Sequence, residues 1–491
     1  MTATFLRHRL EETMKKEDLK MKKQSIWMLL CLCLAVSLLL GGCGKKEGNT
    51  GNEGNEGNTE LDGTEGSEGA DTDNESTASG RVFYLNFKPE ASKLWEELAK
   101  EYTAETGVEM KVQTAASGTY EQTLKSEIAK KDAPNLFQIN GPVGYQNWKN
   151  YCLDLKDTKL YGWMLDNTLA VTDGDGVYGI PYVVEGYGII YNKEILERYF
   201  DLDDQQSGIS TVEEIKNFET LKAVVEDMTA HKEELGIDGV FASTSFAQGE
   251  DWRWQTHLAN IPVYYEFRDK GIGDADTLDL TYAENFKNIF DLYLQNSVTE
   301  PGMLGNKSVN DSMAEFALGR AAMVQNGNWG WEQIAEVSGN VVAETDVKFL
   351  PIYTGVEGEE NQGLCVGTEN FFAVNSRASK EDQKAAIDFL EWLFQSEKGK
   401  SYVTEKFGFI TPFNTFEESE KPQDPLAQEV IHYMENPNLT AVSWNFTAFP
   451  SQTFKDKLGA ALLEYTQGRK SWEEVTEVFR NEWAEEKRQI Q

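Results

Sequence analysis

From Arg81 onward the apolar positions switch repeatedly between two periods. Arg81-Val-Phe-Tyr-Leu-Asn86 reads as a strand. Ala91, Leu94, Trp95, Leu98 and Tyr102 then fall on one helical face, with Gly107 as its terminator. A strand over 108–113, a helix over about 120–131 and a strand over 136–140 continue the alternation. Much later it returns. Residues 369–375 read as a strand, and Ser379-x-x-Asp382 caps a helix whose Ala386, Phe389, Leu390, Leu393 and Phe394 form a core stripe. A second α/β stretch lies between, over about 212–345, and no internal repeat is evident. Alternating strands and helices at this spacing predict an α/β fold with a largely parallel sheet. At 491 residues the chain exceeds what one core covers, so two or more globular units are expected.

Ahead of Arg81 neither period applies. Lys22 and Lys23 precede a fifteen-residue apolar run over 26–40 that ends in Leu40-Gly41-Gly42-Cys43. A basic start, an apolar middle and small residues before a cleavage point make a secretory signal over 1–42, with Met21 read as the true start. The run is short for a membrane-spanning helix, which takes about 20 apolar residues and so disfavours an uncleaved anchor. The tetrapeptide resembles the bacterial lipobox, whose cysteine is diacylated, so Cys43 is expected to carry the lipid. Residues 43–80 then hold Gly, Asn, Glu, Thr and Ser with almost nothing apolar. Such a segment buries too little surface to offset its ordering entropy and reads as a flexible tether.

The charge balance narrows the function classes. With 82 acidic against 46 basic residues the formal net charge is −36, and the clustered Lys/Arg of a nucleic-acid binder is missing. Cys152 and Cys365 are the only cysteines of the globular part; they read as buried free thiols, with a pairing left open. No Cys/His cluster has zinc-site spacing, and no metal or cofactor is expected. There is no G-x-S-x-G elbow and no H-E-x-x-H. Gly399-Lys400-Ser401 lacks the glycine that opens a P-loop, and Asp201-Leu-Asp203 and Asp173-Gly-Asp175 read as turns rather than calcium loops. His231, His257 and His432 share no spacing and read as structural or exposed. A pair of carboxylates meeting in space keeps glycoside hydrolysis open.

Four segments in order carry a resemblance. They are Gly176-Val-Tyr-Gly-Ile-Pro-Tyr-Val-Val-Glu-Gly-Tyr-Gly-Ile-Ile-Tyr-Asn-Lys193, Phe316-Ala-Leu-Gly-Arg-Ala-Ala-Met-Val-Gln-Asn-Gly-Asn-Trp-Gly-Trp331, Phe349-Leu-Pro-Ile352 leading to Gly367-Thr-Glu-Asn-Phe-Phe-Ala-Val-Asn375, and Gly408-Phe-Ile-Thr-Pro-Phe413. Together they resemble the family 1 extracellular solute-binding proteins, the maltose- and multiple-sugar-binding group. The resemblance implies a two-lobed periplasmic-binding-protein type II-like fold with a hinge and an interlobe cleft. The first lobe would be 81–184 plus 349–410 and the second 185–348 plus 411–491, with crossings near Val184–Glu185 and Leu350–Pro351.

It also implies a binding protein and not an enzyme: a monomeric lipoprotein on the extracellular face of the bacterial cytoplasmic membrane. Such a protein captures a neutral oligosaccharide for the permease of an ABC importer. A surface glycoside hydrolase and a sugar-sensing module of a signalling system are the alternatives. A sugar needs flat rings for its C–H faces and polar partners for its hydroxyls. Trp329 matches the family's stacking tryptophan, and Glu185 its hydroxyl-binding carboxylate, with Tyr187 nearby. Lys88, Glu90 and Asn140 occupy loop positions that contact sugar in relatives. Trp252 and Trp254, in a polar loop, and Trp444, Asn445 and Phe449 complete the candidates. No Arg/Lys cluster stands among these loops, which disfavours phosphorylated or sulfated sugars. Val184-Glu-Gly-Tyr187 and Asn326-Gly-Asn-Trp329 are similar to raffinose/isomaltose-type binders, with malto-oligosaccharides as the other option.

Overall fold

The computed structural model describes residues 80–116 and 118–490. The signal segment, Cys43 and all of the tether but its last residue lie outside the described residues. Strand β1 (Val82–Asn86), the helix Ser92–Thr106, β2 (Met110–Thr114), the helix Tyr120–Ile128 and β3 (Leu136–Asn140) follow the alternation read from the apolar pattern. Trp95, Leu98, Ala99 and Tyr102 bury one face of the first helix. Gly107 ends that helix in the left-handed region, at φ +73°, where a side chain is disfavoured.

Further along come β4 (Val171–Asp173), β5 (Gly176–Pro181), β6 (Glu185–Asn192), β7 (Gly239–Phe241), β8 (Ala321–Gly327), β9 (Val347–Leu350), β10 (Gln362–Gly367), β11 (Asn370–Val374) and β12 (Thr440–Ser443). They form two six-stranded sheets. One runs β2-β1-β3-β11-β5-β4; the other runs β12-β10-β6-β8-β7, with β9 also paired to β6. Each sheet carries its own buried core, one around Tyr84, Trp95, Phe372 and Phe389, the other around Tyr187, Trp254, Phe290 and Trp483.

Three sequence-based expectations about the fold need correction. The sheets are mixed rather than largely parallel: β11 runs antiparallel to β3 and β5, and β6 runs antiparallel to β8, β9 and β10. β11 and β6, which enter their sheets from the other lobe, run against their neighbours, and β4 and β5 add an antiparallel hairpin at the edge of the first sheet. The second crossing also lies further along the chain than Leu350–Pro351. Phe349 and Leu350 pair with Ile190 and Ile189, and β10 pairs with β6, so the return to the first sheet falls between Gly367 and Asn370.

The final boundary shifts as well. Phe413 bridges to Met164 and packs in the first core. The chain has rejoined the second lobe by the helix Pro425–Glu435, whose Leu426, Ala427, Val430 and Ile431 pack with Ile190, Val347, Phe349 and Leu364. A Cβ on Gly186 would meet a Val430 methyl at 2.7 Å, so a side chain there would push this helix off β6. Cys152 and Cys365 are free and buried. Among the described residues no helix is long and apolar enough to cross a membrane.

Candidate functional site

The site forms where the chain first passes between the lobes. Glu185 opens β6, and its carboxylate takes a hydrogen bond from the ammonium of Lys88, in the loop after β1, at 2.7 Å. The loop is held by Asn86: its side-chain amide donates to the Lys88 carbonyl (2.7 Å) and its carbonyl oxygen accepts from the Lys88 N–H (3.1 Å). Glu90 lies 3.5 Å from the same ammonium. Burial alone would lower the Lys88 pKa, but the Glu185 and Glu90 carboxylates outweigh it and hold the group charged, well above the ordinary lysine range. The ammonium also lies 5.3 Å from the centre of the Trp329 ring.

Beside this pair stands a wall of rings centred on His257. Its imidazole stacks parallel on Tyr187 at 4.4 Å and lies 5.1 Å from Trp252, 5.5 Å from Trp329, 5.3 Å from Phe446 and 6.1 Å from Trp444. Trp329 is in turn 6.1 Å from Trp252 and 6.5 Å from Trp444. Burial, with Lys455, Lys88 and Arg253 nearby, pushes the His257 pKa well below its usual value, so the imidazole is neutral. Trp252 and Trp329 keep part of their surface exposed.

Local structure explains why these rings converge. His257 lies in a wide-turned π-helix, Arg253–Leu258, a conformation frequent at functional sites. The buried Arg253 guanidinium anchors it to Gln325 O, Ser245 Oγ and Ser312 Oγ, and the Trp254 indole N–H donates to Ser245 O. Trp329 follows β8 in a short turn that Asn328 ties to β6 by accepting the Gly186 N–H. A Cβ on Gly327 would sit 2.2 Å from the Trp329 ring, so only glycine allows the indole to fold back there. Asn260 accepts the N–H groups of Asn445 and Phe446 and donates to Ser443 O, which fixes the segment carrying Trp444. At the return crossing, the Asn140 amide donates to Glu369 at 2.7 Å.

The structure thus brings together Lys88, Glu90, Glu185, Tyr187, Trp252, Trp329 and Trp444, with Asn445 adjacent and Asn140 linked to Glu369. Tyr187 backs the wall: it is fully buried, and its hydroxyl donates to the His257 carbonyl. Trp254 does not join the group. The stretch read as a polar loop winds into the π-helix and turns its ring into the second core, against Phe246, Phe290 and Tyr293. Phe449 likewise packs on Phe454, Phe479 and Trp483. Sequence reasoning set His257 aside as structural or exposed and did not single out Glu369. His257 follows Trp254 by three residues, but nothing in that spacing announces a π-turn.

Comparison with known proteins agrees with this architecture. Residues 97–429 match the family described as bacterial extracellular solute-binding protein. No curated protein sequence matches the chain. Among solved structures, a chitin oligosaccharide binding protein superposes with a TM-score of 0.63 at 19% identity, covering 84% of this chain and 100% of that one. RafE in complex with raffinose gives 0.62 at 17% identity, covering 83% and 99%. Maltose-bound MalE3 of T. maritima gives 0.60 at 15% identity, covering 82% and 99%. At such identities the superpositions establish the two-lobed fold, and the family match spans most of the chain. It belongs to the bacterial extracellular solute-binding proteins.

Proposed function

We propose that this chain is the substrate-binding lipoprotein of a carbohydrate ABC importer, capturing a neutral oligosaccharide between its lobes and delivering it to a membrane permease. The observation that carries this is the ring wall of Trp252, His257, Trp329 and Trp444 beside the Lys88–Glu185 pair at the interlobe crossing. Flat rings take the C–H faces of sugars, and a fixed ammonium next to a carboxylate supplies a donor and an acceptor for neighbouring hydroxyls. Three tryptophans favour two or more sugar rings over a monosaccharide. Structures of the same fold hold raffinose, maltose and mannobiose, which supports the sugar class. A raffinose/isomaltose-type or malto-oligosaccharide ligand fits the segments around Glu185 and Trp329.

Closure of the lobes about the crossings would trap the sugar and form the surface a permease reads. Diacylation of Cys43 would hold the protein on the extracellular face of the membrane, since two acyl chains give stable anchoring. No catalytic step is assigned. Calorimetric titration with raffinose, isomaltotriose, maltotriose, mannobiose and chitobiose tests the proposal. Saturable binding of at least one, with the sugar recovered unchanged, is expected. Shorter products would indicate a hydrolase, and no binding across the panel would refute sugar capture.

A further inference from the structure

On two sides of the ring wall the lobes touch through bare backbone. In the first lobe Gly118 precedes the helix Tyr120–Ile128. A Cβ on it would lie 3.0 Å from the Cα of Gly249, in the second lobe, and 3.2 Å from the Gly249 carbonyl oxygen. Gly141 opens the helix Gly141–Trp148, and a Cβ there would lie 3.0 Å from the Thr447 Cβ and 3.6 Å from the Thr447 carbonyl oxygen. Carbon atoms rest about 3.5–4.0 Å apart, so neither approach admits a methyl group unless the lobes part. Both glycines also hold left-handed backbone, at φ +67° and +60°, which disfavours a side chain before any contact is counted.

The second-lobe partners sit on the same short segments as the outer tryptophans. Gly249 stands three residues before Trp252, in a turn closed by the Glu250 N–H donating to the Ala247 carbonyl at 2.8 Å. Thr447 stands three residues after Trp444 and donates its hydroxyl to the Trp444 carbonyl at 3.2 Å. Trp252 and Trp444 each meet both His257 and Trp329. The wall is thus tied at its Trp252 side to one contact between the lobes and at its Trp444 side to the other. The Lys88–Glu185 pair joins the lobes a third time, at the crossing.

We infer that these two backbone contacts bound the ligand chamber on either side of the wall, and that Gly118 and Gly141 make the protein selective for short oligosaccharides that fit wholly between them. A longer chain has to leave through a seam where main chain rests on main chain, so its extra units hold the lobes apart. The ligand class is a free oligosaccharide of about two or three units, matching the wall tryptophans, and not a stretch of a polymer. This inference rests on the sugar-binding reading and adds to it a length limit and the residues that set it.

The test titrates the full chain with whichever of raffinose, isomaltotriose, maltotriose, mannobiose or chitobiose it binds, and with a homologue of the same linkages at least twice as long. The longer homologue is expected to bind about tenfold more weakly or worse. Equal or tighter binding overturns the inference and leaves sugar capture standing. Variants then assign the effect to the seam. Asn tolerates left-handed backbone, so Gly118→Asn and Gly141→Asn add a side chain to each contact with limited strain. Each is expected to weaken the short sugar about fivefold or more and to leave the longer homologue within about twofold, because the wedge removes a closure the longer chain never had. Gly107→Asn is the control: its φ is +73° and nothing lies within 4 Å of a Cβ there, so both affinities should hold. Variants that bind both sugars as the unaltered protein does, or that lose both alike, overturn the role of the glycines. A Tm well below that of Gly107→Asn marks them as structural and overturns it too, while the length series on the unaltered protein tests the chamber by itself. If no short sugar binds the unaltered protein, both readings fall together.

Discussion

The Lys88–Glu185 pair offers the sharpest energetic test, because its two partners come from different lobes and both side chains are nearly sealed, at 7% and 4% exposure. At 2.7 Å their attraction is about 6 kcal/mol for an effective dielectric near 20. Desolvating two ions consumes most of that, so the intact pair contributes little net stability. Removing one partner is different, because it leaves the other charge stranded. Lys88→Met leaves Glu185 facing Glu90 and Glu369, and is expected to cost about 4 kcal/mol. Glu185→Gln leaves Lys88 with Glu90 still 3.5 Å away, which retains part of the compensation; about 2–3 kcal/mol is expected.

The double variant strands neither charge and should lose only about 1–2 kcal/mol, less than Lys88→Met alone. Urea unfolding followed by tryptophan fluorescence at pH 7, without sugar, measures all three. The pH is chosen with the sign in view. A lysine whose folded pKa is raised above its unfolded value of 10.5 contributes stability that is complete below about 10.5 and is lost as pH rises through the folded value. At pH 7 the contribution is read in full. If the double variant instead loses the sum of the two single losses, the charges are not coupled and the site geometry argued from them is wrong.

The tryptophans separate by role. Trp329→Ala should weaken sugar affinity by at least ~1 kcal/mol with little loss of stability, whereas Trp254→Ala, in the core, should cost about 3–5 kcal/mol of stability; the reverse pattern in calorimetry and urea unfolding would reassign both. Cys43→Ala should move the protein from the membrane fraction to the soluble fraction, and an unchanged distribution would remove the lipid anchor. Asp424 caps the helix Pro425–Glu435, and burial pushes its pKa up to about 7 from 3.8. A carboxyl with a raised folded pKa binds its proton more tightly in the native state, so it costs stability as pH rises from about 4 through 7. Asp424→Asn keeps the cap and removes the charge; its Tm advantage over the unaltered protein should grow between pH 4.5 and pH 8, and a constant difference would contradict this.

What was legible in the chain follows from how local each determinant is. The face of Ser92–Thr106 was readable because Trp95, Leu98 and Tyr102 encode it within one helix, and Gly107 supplies its stop within the same segment. The neighbourhood of Glu185 and Trp329 was readable only through family resemblance, since no spacing rule joins residues in β6 and after β8. The return crossing was not readable, because whether Leu350 ends one lobe or pairs inside the other depends on β6, more than a hundred residues earlier in the chain.

The split between Trp252 and Trp254 lies deeper still. Two residues apart in a strand or an irregular loop, they would be equivalent candidates. The wide turn that sends one ring to the wall and the other to the core is held by the Arg253 guanidinium on Gln325, Ser245 and Ser312, three partners scattered through the second lobe. Local patterns therefore specify the scaffold. The identity of the groups facing a ligand is set by contacts across the lobes.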